Sequence, residues 1–371
     1  MLSIFTLVFA CIEHQSVFSF VNRANSTKKL DYFSAIANLS TGQATQTCSR
    51  PKNSNENLQQ FRTTAKGCIV MESNSGRILF EKDANVQLPM ASTTKIVTAI
   101  TVLNNASLDD VVVIDKRACA VEGSSVYLRA GEELTVKELL YGLMLRSGND
   151  CAVALALHVA GSVDGFAQMM NQTAQSLGCT DSNFVNPHGL HDEKHYTTAK
   201  DLATITCYAL QNEHFAQIVS TKSVKISNDG YDYPRVLTNK NKLLSNFADA
   251  DGVKTGYTKR AGRCFVGSAT RNGMQVVVVV LNCGPMFEET SQMLDCAFAN
   301  YQNQCVVPQN KLCGVVYHQG KPSYYVCKQS FCYPLAQGEE IGKNITLEEN
   351  ELKIDILLDG KIVKTLPLTA M

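Results

Sequence analysis

Ser92 and Lys95, three residues apart, form a pair whose types and spacing could perform nucleophilic catalysis. On a helix, residues at this spacing share one face and lie within hydrogen-bond reach. A serine hydroxyl needs a base to attack a carbonyl, and a lysine can be that base only when it is neutral. Burial and a second nearby cation both lower a lysine pKa toward that state. The pattern alone is weak, because Ser26–Lys29 and Ser49–Lys52 repeat it and a serine at a helix start is often only an N-cap.

Two further motifs, each found once in the chain, follow in order: Ser147-Gly148-Asn149 and Lys254-Thr255-Gly256. The first lies between two predicted helices, and the second opens a predicted strand. Each has a structural alternative, because Ser147 and Asn149 could cap the following helix and Lys254 could be a solvated strand residue. In this order, S-x-x-K, S-x-N and K-T-G form the serine acyl-transfer set of penicillin-binding proteins and β-lactamases.

The surrounding sequence resembles one family in particular. It is similar to the low-molecular-mass penicillin-binding proteins that are serine D-alanyl-D-alanine carboxypeptidases, peptidase family S11, over about Gly67 to Asn300. The segments that carry the resemblance are Pro89–Ala99, Leu139–Asp150, Asn186–Leu190, Tyr196–Leu202 and Asp251–Thr258 with Ala261-Gly262.

This resemblance implies a role for each residue of the first two motifs. Ser92 would attack the carbonyl between two terminal D-alanines and form an acyl-enzyme. Lys95 would be the general base, kept neutral by burial and by the charge of Lys254. Ser147 would relay the proton to the leaving amine, and Asn149 would hold Lys95 or the substrate amide.

The resemblance also assigns substrate contacts to the third motif. Lys254 and Thr255 would receive the terminal carboxylate, followed by Gly256 and Tyr257. The backbone N–H groups of Ser92 and Tyr257 would form the oxyanion hole. Penicillins and other β-lactams would acylate the same serine, so peptidoglycan stem peptides and β-lactams are the expected partners.

Hydrophobic periodicity predicts the elements that must position these residues. A hairpin turning at Asn74-Ser75-Gly76 opens the region, helices follow, and a second hairpin turning at Asn272-Gly273 closes it. The predicted helices are Met90–Leu103, Leu134–Arg146, Asp150–Ala160, Gly165–Leu177 and Ala199–Leu210, and the predicted strands are Gly67–Met71, Arg77–Phe80, Val111–Ile114, Val253–Thr255, Gly262–Thr270 and Met274–Leu281. This order predicts an α+β fold of the β-lactamase/transpeptidase type, an antiparallel sheet with an inserted helical cluster whose first and last strands meet.

Length and composition predict two folded domains. The chain has 371 residues, which suits about two domains. We expect a signal or anchor-like segment at 1–21, a polar leader at 22–62, the catalytic domain at 63–300 and a small all-β domain at 301–371. The balance of 34 basic and 34 acidic residues argues against bulk electrostatic binding of nucleic acid or anionic lipid. The histidines show no ligand spacing and no CxxC pair occurs, so no metal or cofactor is expected.

The 14 cysteines admit two interpretations. Those in apolar runs, Cys151, Cys207, Cys264 and Cys283, are expected to be buried thiols that pack as small hydrophobes. The denser set from Cys296 to Cys332 could include a disulfide bridge if the protein is exported.

Export is the expected fate, although the signal is imperfect. Met1–Val21 has a short apolar stretch but no preceding positive charge. The alternative is a short buried helix. Leu366–Met371 is too short and too interrupted by proline for the membrane-resting helix with which family members often end. Membrane association would then depend on residues 1–21, or the protein would be free outside the cytoplasmic membrane.

Two rival functions remain open at this stage. A class A β-lactamase would need a glutamate for deacylation, and none lies between Asn149 and Leu190. A catalytically silent cell-wall-binding module would be free to lose the motif residues, which are all present. His188 could be a base, but a lysine already lies one turn from Ser92, and a turn-stabilising role suits His188 better.

Overall fold

A computed structural model describes residues 58–228, 230–318, 321–348 and 351–371. The expected export segment at 1–21 and most of the polar leader lie outside the described residues. The chain divides between Asn300 and Tyr301 into two compact units. Leu58, at the start of a short 3₁₀ turn, is already buried in the first unit.

The first unit is a mixed helix and sheet structure. Its described strands are β1 (Gly67–Glu72), β2 (Ile78–Lys82), β3 (Val111–Val113), β4 (Glu133–Thr135), β5 (Ser223–Ile226), β6 (Arg235–Thr238), β7 (Ala250–Thr258), β8 (Gly262–Arg271) and β9 (Met274–Leu281). Its described helices are α1 (Lys95–Leu103), α2 (Val136–Tyr141), α3 (Asn149–Ala160), α4 (Val163–Ser176), α5 (Ala199–Leu210), α6 (Glu213–Ser220), α7 (Leu243–Asn246) and α8 (Met286–Asn300).

A five-stranded antiparallel sheet forms the frame, in the order β2-β1-β9-β8-β7. The first strand therefore pairs with the last, from Gly67 opposite Leu281 to Glu72 opposite Val276, which confirms the predicted closure. The valines of β9 are all fully buried, because helices cover both faces of the sheet. Cys207 of α5 contacts Met71, whereas Met293 of α8 contacts Cys68 on the opposite face of β1.

The helical cluster inserted between β2 and β7 surrounds α1. A 3₁₀ turn at Ala91–Thr94 leads into α1, whose residues from Lys95 to Val102 are all buried. The sequence pattern predicts one apolar face on this helix, but the structure buries its polar positions as well. A helix enclosed on all sides is a core element, so Lys95 is carried into the interior.

The predicted break between two helices is confirmed at Ser147–Asn149. Helix α2 begins two residues later than predicted, because Thr135 and Glu138 form a capping box and Thr135 belongs to β4. A π-helical turn at Gly142–Arg146 then follows, and Ser147 adopts a left-handed conformation with φ +66°.

Two expectations need correction. Lys254-Thr255-Gly256 lies in the middle of β7 rather than opening a strand, because the strand begins at Ala250. The periodicity also missed α6, α7, α8 and the small β5–β6 hairpin, which are short or weakly apolar elements.

The second unit contains only β-strands and loops in its described residues, which agrees with the small all-β domain expected from the sequence. Its strands are β10 (Tyr301–Val307), β11 (Leu312–His318), β12 (Lys321–Val326), β13 (Phe331–Ala336), β14 (Ile341–Glu348), β15 (Glu351–Leu358), β16 (Lys361–Pro367) and β17 (Thr369–Ala370). They form three antiparallel sheets, β10-β13, β11-β12-β17 and β14-β15-β16, around a small apolar core that includes Ile354 and Ile356.

Among the described residues, no single helix is long and apolar enough to cross a membrane. Helices α3 and α4 meet the length and composition criteria only when they are taken together, and the chain bends by 85° between them.

Candidate active site

Lys95 lies at the centre of the site and uses three hydrogen bonds. Its Nζ lies 3.1 Å from Ser92 Oγ and donates to Asn149 Oδ1 over 2.7 Å and to the backbone oxygen of His188 over 2.6 Å. The 3₁₀ turn at Ala91–Thr94 places Ser92 one turn before Lys95. The structure therefore brings Ser92, Lys95 and Asn149 together, as the spacing predicts for the first two.

Two buried lysines lie in this site, and both have lowered pKa values. Lys95 is fully buried, and desolvation followed by the charge of Lys254 holds its pKa well below the usual range. Burial, followed by the charge of Lys240, lowers the pKa of Lys254 to about 7. Lowered pKa values on two neighbouring lysines favour a neutral Lys95 at neutral pH, which is the form that can accept a proton.

Asn149, the first residue of α3, is held from two sides. Its backbone N–H donates to the Ser124 oxygen over 2.7 Å, and its Nδ2 donates to the Glu122 oxygen over 2.5 Å. Its Oδ1 is then left to accept from Lys95. Asn149 links Lys95 to the backbone of the 122–128 loop.

Asp150 holds that loop in place, and the sequence motifs did not identify it. The Asp150 carboxylate is buried and accepts from Ser125 Oγ over 2.5 Å, from the Val126 N–H over 2.9 Å and from the Leu128 N–H over 3.2 Å. Its position directly after S-x-N was the available signal.

Ser147 is buried, and among the described residues no hydrogen bond joins its side chain to Ser92 or Lys95. Among the described residues its Oγ makes no hydrogen bond, and its place is set by the π-helical turn and its left-handed backbone.

Strand β7 runs directly against the nucleophile turn. A Cβ atom added at Gly256 would lie 3.0 Å from the Ser92 nitrogen and 3.0 Å from the Met90 oxygen. Only a glycine permits so close an approach without displacement. On the same strand, Lys254 is buried and its Nζ donates to the Thr255 oxygen over 2.9 Å, whereas Tyr257 is 65% exposed.

The Asn186–Leu190 turn supplies a backbone oxygen to the site. Asn186 Oδ1 accepts from the Gly189 N–H over 2.7 Å, and this bond shapes the turn that presents the His188 oxygen to Lys95. The His188 ring accepts from the Leu190 N–H, and burial lowers the pKa of His188 to about 3.

His195 supports the 3₁₀ turn that carries Ser92 through a hydrogen bond to Thr94. The sequence analysis did not identify this residue. The Val185 N–H donates to His195 Nδ1 over 3.1 Å, so Nε2 carries the proton and donates to Thr94 Oγ1 over 2.8 Å. Thr94 Oγ1 in turn donates to the Ala91 oxygen over 2.8 Å. Ala91 has φ +49°, a strained conformation that these bonds support.

Lys240 adds a third cation to the same region. Its Nζ donates to Ser124 Oγ over 3.1 Å, and its charge lowers the pKa values of Lys254 and Lys95. A lysine in a loop has no motif, so only the fold could reveal it. No cluster of metal-binding side chains occurs within the part of the chain that the structure describes.

The sheet with its inserted helical cluster, and the three motifs gathered against one nucleophile turn, define the penicillin-binding protein class. Within that class the chain belongs to the D-alanyl-D-alanine carboxypeptidase family, Peptidase_S11, whose profile matches residues 53–284.

Individual relatives are similar over most of the chain. D-alanyl-D-alanine carboxypeptidase DacF of Bacillus subtilis is 30% identical over 322 residues, covering 84% of this chain and 82% of that protein. The crystal structure of penicillin binding protein 5 from Haemophilus influenzae superposes with a TM-score of 0.72 at 27% identity, covering 84% of this chain and 97% of that one. A mutant of the Streptomyces K15 DD-transpeptidase, 33% identical, superposes with a TM-score of 0.61 over 65% of this chain and all of that one.

Proposed function

We propose that the protein is a serine-type D-alanyl-D-alanine carboxypeptidase that removes the terminal D-alanine of peptidoglycan pentapeptides through an acyl-enzyme on Ser92. One observation carries the proposal: the buried Lys95 Nζ lies 3.1 Å from Ser92 Oγ, with its remaining donors bound to Asn149 and the His188 oxygen. This arrangement supports a base that is fixed, dry and aimed at the nucleophile.

The first half of the reaction forms the acyl-enzyme. Neutral Lys95 takes the proton from Ser92 Oγ as the oxygen bonds to the carbonyl carbon of the penultimate D-alanine. The backbone N–H groups of Ser92 and Tyr257 stabilise the oxyanion, which typically contributes about 10²–10³ per donor to the rate. The C–N bond then breaks, and Ser147 passes a proton to the departing amine of the last D-alanine. Water hydrolyses the ester and regenerates Ser92.

Lys254 and Thr255 receive the terminal carboxylate of the substrate. A pKa of about 7 leaves Lys254 partly neutral in the empty site. An arriving carboxylate favours the charged form, so binding takes up a proton near neutral pH. The same carboxylate recognition and the same serine account for inhibition by β-lactams, whose strained amide replaces the D-alanyl-D-alanine bond.

The location of the enzyme follows from this substrate. Peptidoglycan lies outside the cytoplasmic membrane, so the enzyme acts there, exported through residues 1–21 and either free or held by them. Residues 63–300 form the catalytic domain, and residues 301–371 form a separate β-rich domain.

The decisive experiment measures D-alanine release from a pentapeptide together with labelling by fluorescent penicillin. Ser92→Ala should lower release by about 10³-fold or more and abolish labelling. Ser176→Ala is the matched control, because Ser176 is exposed at the end of α4. Release that persists in Ser92→Ala would overturn the proposal. Sustained rapid turnover of a chromogenic cephalosporin would favour a β-lactamase instead, and an unlabelled wild type would favour a silent cell-wall module.

A further inference from the structure

Two cysteines of the second unit face each other across a pair of strands. Strands β10 and β13 form a two-stranded antiparallel sheet in which Cys305 lies directly opposite Cys332. A bulge follows at once, after which Val307 lies opposite Phe331. The cysteines therefore sit at the last regular position before the register changes.

This register satisfies the geometry of a disulfide. Directly opposite residues in an antiparallel pair have Cα atoms about 4.5 or about 5.5 Å apart and point to the same face. Disulfides span Cα separations of about 4.4–6.8 Å. The Cα separation expected for Cys305 and Cys332 therefore lies within the range that a disulfide spans.

The cysteines of the first unit provide a contrast. Cys68, Cys151, Cys207 and Cys264 are buried in the core, and burial raises their pKa values. Cys207, for example, packs against Met71 Sδ at 3.8 Å. Such thiols are inaccessible to an oxidant and resist forming thiolate. Cys305 is exposed and Cys332 is half-buried, so this pair is open to oxidation.

We propose that Cys305 and Cys332 form a disulfide that cross-links β10 to β13. The structure holds the described cysteines as thiols, so the bond forms by oxidation. Each thiol gives up a proton, and together they give up two electrons to a disulfide oxidant, either a thiol–disulfide oxidoreductase or oxidised glutathione. The oxidant is reduced to two thiols as the new S–S bond forms. The proposal depends on the extracytoplasmic location argued above, where such oxidants persist.

The bond would stabilise the weakest sheet of the unit. A two-stranded sheet is marginal by itself, and β10 and β13 are separated along the chain by two intervening strands. A cross-link between them removes conformational freedom from the unfolded chain. Cleaving it should lower the unfolding midpoint of the second unit by about 10 °C.

The test uses full-length protein equilibrated in oxidised or reduced glutathione, alkylated, digested with trypsin without reduction and examined by mass spectrometry. Trypsin leaves Cys305 on peptide 272–311, Cys313 with Cys327 on peptide 312–328, and Cys332 on peptide 329–343. We expect peptides 272–311 and 329–343 to be linked in the oxidised sample. The first peptide also holds Cys283 and Cys296, so Cys305→Ser must abolish the link, as must Cys332→Ser, whereas Cys207→Ser retains it.

Thermal unfolding with and without reductant gives the second measurement. Wild type and Cys207→Ser should lose stability on reduction, and the Cys305→Ser/Cys332→Ser double variant should be insensitive to it. Fully alkylated Cys305 and Cys332 in the oxidised sample, or a link from peptide 329–343 to peptide 312–328, would overturn the proposal. Penicillin labelling of each sample is scored separately, so a failure of the proposed catalytic function cannot be mistaken for a failure of the disulfide.

Discussion

Asn149 Oδ1 accepts a hydrogen bond of 2.7 Å from Lys95 Nζ, joining the S-x-N motif to the lysine of S-x-x-K. Because an amide oxygen is neutral, it orients the lysine without supplying a charge that would keep it protonated. Burial, followed by the charges of Lys254 and Lys240, holds the pKa of Lys95 well below its usual range, although Asp150 acts in the opposite direction. Lys95 can then remain neutral.

Replacing that amide by a carboxylate should move the pH dependence of acylation. In Asn149→Asp, a negative charge at the same distance raises the pKa of Lys95. Because neutral Lys95 is the active base, the rise in acylation rate with pH should shift to higher pH. At neutral pH, penicillin acylation should fall by about 10–100-fold. Stopped-flow acylation across pH measures this.

Asn149→Ala is the comparison for that experiment. It removes the hydrogen bond without adding charge, so the rate should fall while the pH profile keeps its position. Superimposable pH profiles for the Asp and Ala variants would contradict the assignment of Lys95 as the titrating base.

Asp150 should matter for both stability and acylation. The Asp150 carboxylate accepts from the Val126 and Leu128 N–H groups. Asp150→Asn replaces one of its two acceptor oxygens by an NH2 group, which can only donate. An unsatisfied buried group costs about 1–3 kcal/mol, so urea unfolding should show a loss of this size. The loosened 122–128 loop should also slow acylation, since it anchors Asn149. Asp164→Asn, at an exposed position of α4, should change neither quantity.

Stability should rise with pH through the titration of Lys254. Its pKa is about 7 in the folded protein against 10.5 ordinarily, so above pH 7 the unfolded chain binds more protons. The free energy of unfolding should therefore increase with pH, by at most about 1.4 kcal/mol per pH unit for this group. Between about pH 7 and about pH 8.5, below the ordinary thiol pKa, Lys254→Met should make this slope shallower without abolishing it, because the lowered pKa of Lys95 contributes in the same direction. Urea unfolding of both proteins at several pH values tests it, and parallel slopes would count against a neutralised buried lysine.

The turn at 188–189 should act through its backbone. Lys95 contacts the His188 oxygen rather than the ring, and a pKa of about 3 keeps the ring neutral at physiological pH. His188→Ala should therefore retain acylation within about tenfold, losing chiefly one hydrogen bond to the Leu190 N–H.

Gly189→Ala is the contrasting change in the same turn. Gly189 has φ +88°, and an added Cβ would collide with the Ala91 backbone and approach Thr94 Oγ1. We expect acylation to fall by about 100-fold or more, with a lower unfolding midpoint. Penicillin labelling rates decide between the two positions; a larger loss in His188→Ala than in Gly189→Ala would show that the ring takes part.

Much of the framework could be predicted from the sequence. The β1–β2 hairpin, the nucleophile helix, the break before Asn149 and the β8–β9 hairpin depend on local turn residues and periodicity, which short windows contain. The three motifs were recognisable because each places its chemistry within a few consecutive residues.

The contacts that complete the site depend on the fold. Lys95 meets Asn149 54 residues away and the His188 oxygen 93 residues away. A backbone oxygen carries no residue signature, and neither do the exposed Lys240 or the His195 that supports Thr94. The sequence by itself determined which groups could react and in what order they occur along the chain. Only the tertiary structure decided that Lys95 is wholly enclosed and that Lys254 and Lys240 lie near it, because burial and the distance between charges are properties of packing.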